Sequence, residues 1–349
     1  MAIPFLFKHV TLDGETERAA DASVALCSAL ERSPHLAHCV ERVDLVHSYE
    51  DDGHPVLHAL CAAWPQLISL RTLHLCQLDA LVRDQTLATA LVRLPASLSE
   101  VVLNTGSADA PTDAVLPRIT VPLTRLDISF TNDEATYSVL AATQAALERL
   151  CLRHAHFVHH IAKDGCWPLV THLTLLNAAG DARGIASAFP NVTHLAIATH
   201  LAIGSGVPAH IGYLYLNALP WRKLSFLALA PLYLNGIHDF SPCKITHLRV
   251  NRCNKIYLDR LMAFLGAMSA RILELRFLDT VASSIRHFGD TLKLLDTQLL
   301  SVTVDYSYKD STCLGLFLVR ALSSPTQSLA HTQDSIRCHL YYRTRAQGV

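Results

Sequence analysis

Residues Val170–Leu175 read VTHLTL, and residues Val192–Ile197 read VTHLAI. Each hexamer has an apolar first residue and apolar fourth and sixth residues, with polar or small residues between them. If each is a short strand, Leu173 and Leu175 point into a core while His172 and Thr174 point out of it. One such hexamer decides nothing, because a buried strand and a piece of buried helix look alike at this length. The fold turns on whether the pattern recurs.

It recurs along most of the chain. Upstream are VERVDL (Val40–Leu45), LRTLHL (Leu70–Leu75), LSEVVL (Leu98–Leu103), LTRLDI (Leu123–Ile128) and LERLCL (Leu147–Leu152). Downstream are LSFLAL (Leu224–Leu229), ITHLRV (Ile245–Val250), ILELRF (Ile272–Phe277) and LLSVTV (Leu299–Val304). The central apolar residues of the eleven copies are separated by 21 to 32 residues. A strand of this kind cannot bury its face alone, whereas parallel strands stacked side by side bury a continuous ladder of Leu, Ile and Val.

The connecting segments carry helical spacing. Asp13–Pro34, Asp84–Pro95, Asp133–Leu150 and Asp259–Met268 place apolar residues at i, i+3 and i+4 among good helix formers. Asp133 reads as an N-cap, and the first of these segments ends at Pro34. His210–Leu216 reads as an extra irregular strand, Ser311–Leu322 as a helix, and Ser335–Arg343 as a last strand.

The repeat resembles that of leucine-rich-repeat proteins, whose units recur every 20–29 residues. The resemblance implies an α/β solenoid of the ribonuclease-inhibitor-like kind. It would be curved, with parallel strands on the concave face and helices on the convex one. The expected organisation is a strand and helix flank over 1–33, about eleven repeats over 34–305, and a C-terminal cap and tail over 306–349. The Asn or Cys expected three residues after the last strand leucine is filled by Cys253, while Leu78, Thr131, Ala155, Ala178 and His200 stand elsewhere. Phe5–Leu12, a helix, then Ser33–Leu45 resemble the segment after the F-box in fungal F-box/leucine-rich-repeat proteins. That resemblance implies substrate recognition for an SCF-type ubiquitin ligase, with the ligase adaptor as a further partner. The chain starts at Met1, so the expectation is a repeat region without an evident F-box.

Bulk composition narrows the function classes. The 349 residues are 50% hydrophobic, enough for a sizeable core. Net charge is -1 and there is no long basic run, which argues against nucleic acid. No stretch approaches 18 unbroken apolar residues, so no membrane span is expected. The ten cysteines include no C-x-x-C pair, and no signal peptide precedes them. Reduced thiols in the cytoplasm or nucleus are expected, with the sequon at Asn191 idle.

Twenty histidines invite a metal reading. The stretch Arg153–Cys166, RHAHFVHHIAKDGC, holds His154, His156, His159, His160 and Cys166. On a helix His156 and His160 would share a face, as two zinc ligands can. Phe157 stands where a metalloprotease motif needs Glu, and Asp164 is the one carboxylate nearby. The preferred reading is a His-rich turn with no metal, no cofactor and no catalysis; the alternative is a metal-dependent hydrolase. His35–Cys39 is absorbed by the repeat pattern. Leu103–Asp113 lacks the Lys-Ser/Thr pair of a phosphate loop.

The default binding surface of such a solenoid is its strand face. The repeat frame places Arg125, Arg149, His172, His194 and His247 in a cationic row there. Cys151, Thr174, Ala196 and Ala228 form a column of small residues beside it. Asp127, Arg249, Glu274 and Arg276 complete the expected partner-binding set. The function expected is a protein-interaction module, with the metal hydrolase or a truncated remnant that binds nothing as alternatives.

Overall fold

A computed structural model describes residues 6–46, 55–76, 89–90, 93–103, 116–129, 133–153, 165–176, 180–198, 214–215, 221–229, 243–253, 261, 263–265, 270–278, 299–306 and 336–342. The chain divides into two compact units. The first comprises Met1–Ala179 with Ser187–Asn191, and the second Gly180–Ala186 with Val192–Val349.

In the first unit every expected hexamer is a strand, and all the strands run parallel. They are β1 (His9–Leu12), β2 (Arg42–Leu45), β3 (Thr72–Leu75), β4 (Glu100–Leu103), β5 (Arg125–Ser129), β6 (Arg149–Arg153) and β7 (His172–Leu176). Each pairs with its sequence neighbour. The N-terminal flank thus contributes the first rung, with His9 opposite Arg42 and Leu12 opposite Leu45.

The register turns the hexamer into two buried ladders. Val43, Leu73, Val101, Leu126, Leu150 and Leu173 lie opposite one another in succession. Leu45, Leu75, Leu103, Ile128, Leu152 and Leu175 form the second ladder two residues on. All of them are buried, each worth roughly 1.5–3 kcal/mol relative to exposure. Register is fixed because a one-residue slip would turn Leu150 outward and Arg149 inward.

A second regularity sits where the strands begin. One carbonyl in each repeat accepts two N–H groups from the next. Glu41 O accepts from Arg71 and Thr72, Arg71 O from Ser99 and Glu100, and Ser99 O from Thr124 and Arg125. Thr124 O accepts from Glu148 and Arg149, and Glu148 O from Thr171 and His172. Side chains add ties at the same level: Ser97 Oγ donates to Ile68 O and Leu70 O, and Asn191 Nδ2 to Pro168 O.

The helices close the core from the apolar side. α1 (Glu17–Arg32) starts at Thr16, whose hydroxyl accepts from the Ala19 N–H at 3.2 Å, and buries Cys27 and Leu30. α2 (Pro34–Ala37) begins at the proline that stops α1. α3 (Pro55–Ala63) packs on α1 and buries Val56, Leu57 and Leu60. α4 (Asp133–Thr143) has Asp133 as its first helical residue, not as its cap, and it ends well before Leu150. The Thr143 hydroxyl bonds back to the Val139 and Leu140 carbonyls, and Thr143 O then accepts from Ala146 and Leu147 to turn the chain into β6.

In the second unit β9 (His194–Ala198), β11 (Lys223–Leu229), β12 (Lys244–Cys253), β13 (Ala270–Leu278), β14 (Leu299–Tyr306) and β15 (Ile336–Tyr342) pair in parallel. The last of these is the strand expected over Ser335–Arg343. A small pair joins β8 (Gly180–Asp181) to β10 (Leu214–Tyr215), which lies inside the irregular segment His210–Leu216. α5 (Ala182–Ala188) follows β8.

One register differs from the sequence frame. Leu248 of β12 lies opposite Leu273, not Leu275, and Val250 lies opposite Leu275. The apolar anchor facing Ile245 is Ala270, so toward β12 the repeat runs Ala270–Leu275, whereas toward β14 the expected frame Ile272–Phe277 holds, with Ile272 opposite Leu299 and Leu275 opposite Val302. An irregularity between Val250 and Cys253 accompanies the change, and Cys253 sits in the ladder opposite Phe277. Leu78, Thr131, Ala155, Ala178 and His200 lie outside the described residues, as do most of Asp84–Pro95 and all of Ser311–Leu322. Thr89 and Ala90, and Leu261 and Ala263–Leu265, are helical within their expected helices.

Candidate functional site

The outward residues of β1–β7 form a polar face. Arg42, Arg125 and Arg149 are exposed, and Glu100, Cys151, His172 and Thr174 are half-buried. Two carboxylates on this face are buried: Asp44 is 8% exposed and Asp127 7%. A carboxylate so placed costs several kcal/mol unless it is paired, and both are.

Asp127 is held by Arg153. Nε lies 2.9 Å from Oδ1 and Nη2 2.9 Å from Oδ2, a fork that fixes the carboxylate in its plane. The hydrogen bond to Asp127 is the main reason the guanidinium pKa is raised above its ordinary value. Cys151, opposite Asp127, is also affected. Burial, and then the Asp127 charge, push its thiol up to about 12.

Asp44 gathers side chains from three strands. His9 Nε2 of β1 lies 2.7 Å from Oδ2, and Arg42 Nε lies 2.8 Å from Oδ1. His74 Nδ1 of β3 stands 3.7 Å away. Burial works to raise the Asp44 pKa, but the hydrogen bonds from Arg42 and His9 outweigh it, and the net shift is downward. For His74 burial comes first and lowers its pKa, although the nearby Asp44 pulls the other way.

Glu100, Arg125, Arg149 and His172 occupy one row, each opposite the next. Arg125 Nη1 is 3.5 Å from Glu100 Oε2. The Arg149 side chain has no partner among the described residues. The Thr171 hydroxyl lies 3.0 Å from His172 Nδ1. Thr174 lies opposite Cys151 in the neighbouring row.

The second unit carries its own cluster. Phe226 lies opposite His194 on one side and His247 on the other. The His194 ring stacks at 6.3 Å, the His247 ring meets it edge-on at 5.0 Å, and the Arg249 guanidinium lies 5.4 Å from its centroid. Ala196, Ala228 and Arg249 form the adjacent row. Arg249 Nε is 2.5 Å from Glu274 Oε2, its register partner. His247 Nε2 lies 3.0 Å from Glu274 Oε1. Burial tends to raise the Glu274 pKa, yet the Arg249 hydrogen bond and charge carry it below the usual carboxylate range.

The expected residues therefore fall into two groups. Arg125, Asp127, Arg149, Cys151, His172 and Thr174 share the face of the first unit. His194, His247, Arg249 and Glu274 share that of the second. The two-residue register change puts Glu274 in the row of Arg249 and Ile272 in the row of His247. Arg276 lies on β13 opposite Thr303, and its side chain is outside what is described.

Sequence reasoning missed Arg153 and His9. Arg153 was read as the start of a connection but is the last residue of β6. His9 lay in the flank. Its spacing from Val10 and Leu12 matches that of Arg42 from Val43 and Leu45, and this was the signal available.

The histidines His154, His156, His159 and His160 lie outside the described residues. Cys166 is exposed, and its carbonyl accepts from Gln144 Nε2 at 2.5 Å. Among the described residues no group of three or more His, Cys, Asp or Glu is placed to hold a metal ion. No helix among them is long and apolar enough to cross a membrane.

No family model matches the chain, and no curated protein matches it. Among solved structures it is similar to the leucine-rich repeat-containing protein LegL7 from Legionella pneumophila, at 14% identity and a TM-score of 0.43. The match covers 96% of this chain and 91% of that one. The repeated hexamer, its in-register parallel ladders and the intervening helices make the chain an α/β leucine-rich-repeat solenoid.

Proposed function

We propose that the protein is a non-enzymatic interaction module that holds a protein partner on the outward face of its strands. The observation that carries this reading is the Asp127–Arg153 fork beside exposed Arg149. Side chains on this face are fixed before any partner arrives, which lowers the entropy cost of binding. Anchored charges flanked by small residues such as Cys151 and Thr174 suit an incoming protein segment. The contact set on the first unit is Arg125, Asp127, Arg149, Cys151, His172 and Thr174. On the second it is His194, His247, Arg249, Glu274 and Arg276.

A finer form of the reading makes the partner the substrate of an SCF-type ubiquitin ligase. It rests on the resemblance of Phe5–Leu45 to the segment after an F-box. Affinity capture from lysate, comparing wild type with Arg125→Glu/Arg149→Glu by mass spectrometry, tests both forms. Proteins kept by wild type and lost by the folded variant support the binding face. Recovery of adaptor and cullin subunits supports the ligase form. Equal recovery by both proteins removes the face of the first unit from the reading.

A further inference from the structure

We infer that the row Arg125–Arg149–His172 is the docking strip for an acidic peptide segment of the partner, with Arg149 as its centre. The inference rests on the reading above that the strand face is the binding surface.

Arg125 and Arg149 lie directly opposite each other on adjacent parallel strands, and His172 lies opposite Arg149. Adjacent strands are about 4.8 Å apart, and like charges set directly opposite destabilise a sheet. A fold that merely needed polar cover would not place two guanidiniums there with only Arg125 paired. The carboxylates nearby do not reach Arg149. Asp127 is taken at both oxygens by Arg153. Asp44 is engaged by His9 and Arg42. Glu100 reaches Arg125 at 3.5 Å, on the side away from Arg149. Arg149 is exposed and keeps its five donors.

The geometry selects the ligand. A carboxylate placed between β5 and β6 meets both guanidiniums, and a second on the same segment reaches toward His172. The row alongside is Cys151 and Thr174, small enough to admit backbone. Exposed Glu148 and half-buried Glu100 flank the strip. They would repel a continuous phosphate backbone, whereas a short acidic segment fits between them.

The test uses a fluorescein-labelled ten-residue peptide alternating glutamate and glycine, with a glutamine version as control. Polarisation is read against the full chain at about 20 mM and about 150 mM salt, a range over which screening of exposed charges grows. Wild type is expected to bind the glutamate peptide and not the control, more weakly at the higher salt. Arg149→Glu is expected to weaken binding about tenfold or more, the effect of losing one charge-assisted contact. Arg149→Gln should weaken it less. Glu100→Gln, which frees Arg125, should tighten it.

Equal binding of both peptides, or of the glutamate peptide to wild type and to a folded Arg149→Glu, overturns the inference. So does tighter binding of a single-stranded oligonucleotide through the same arginines. If no peptide binds while Arg125→Glu/Arg149→Glu still abolishes capture from lysate, the acidic-segment inference falls and the binding-face reading stands.

Discussion

Arg153, the last residue of β6, reaches along the strand face and grips both carboxylate oxygens of Asp127 on β5, each at 2.9 Å. It neutralises a buried charge, and it takes up the carboxylate that stands two residues from Arg125 on β5.

Breaking the fork from one side should cost more than removing it. Arg153→Ala leaves Asp127 buried and unpaired, and we expect a loss of about 2–4 kcal/mol in urea unfolding. Asp127→Asn combined with Arg153→Met should cost less than the sum of the two single changes. Additive losses would mean that the two groups are not energetically coupled.

The Asp44 cluster predicts two acid-sensitive windows. Asp44 has a folded pKa below its unfolded value near 3.9, so its contribution is present above that pH and is lost as pH falls through the folded value. His74 is also lowered, by burial first, so the unfolded chain binds its proton more readily. Stability therefore rises with pH up to about 6.5 on this account. Unfolding midpoints measured from pH 3 to 8 should show both slopes. Asp44→Asn should flatten the lower one and His74→Gln the upper one.

Two buried tryptophans should respond differently to Phe. Trp167 Nε1 donates to Leu140 O at 2.8 Å, while Trp64 Nε1 is buried without a partner. Trp167→Phe loses a hydrogen bond, whereas Trp64→Phe removes an unsatisfied donor. We expect Trp167→Phe to cost about 1–2 kcal/mol more by thermal or urea unfolding. Equal losses would assign the cost to ring volume alone.

Gly165 lies against the same indole. A Cβ there would stand 2.3 Å from Trp167 Cη2 and 2.6 Å from Cζ3, inside a side chain that is 1% exposed. Gly165→Ala should destabilise by about 1–3 kcal/mol through overpacking. The penalty should shrink in a Trp167→Phe background, which lacks both of those atoms. An unchanged penalty would place its cause in the backbone.

Thiol reactivity should separate the cysteines. Burial is the first cause that raises Cys27 and Cys151 to about 12 and Cys243 to about 11, whereas Cys166 is exposed. At pH 8 an aromatic disulfide reagent should label Cys166 early, and Cys27, Cys151 and Cys243 only on unfolding. Early labelling of Cys151 would show that the face around Asp127 opens.

The strands were legible in sequence because their signal is repeated and has period two. Leu173 and Leu175 are buried while His172 and Thr174 are not, and the same alternation holds at Leu150 and Leu152. The partners of the outward residues were not legible. Arg153 acts one step beyond the apolar hexamer, where the pattern carries no information. His9 lies in Phe7–Leu12, FKHVTL, which fits the pattern with Phe7 in the leading apolar position, but it stands in the flank ahead of the repeats and was not counted with them. The frame Ile272–Phe277 holds toward β14, where Ile272 lies opposite Leu299, but toward β12 it slips by two, because the small Ala270 takes the anchor position opposite Ile245.

That change of register, from Leu248 opposite Leu273, has a consequence for how such a chain varies. A shift of one residue would be policed by the core, since it exchanges inside for outside. A shift of two keeps every leucine indoors and is thermodynamically quiet. It transposes only the outer side chains, bringing Glu274 beneath Arg249 where Arg276 would have stood. Insertions and deletions in even steps are therefore a cheap way to rewrite the face a ligand meets while the interior goes on unaltered.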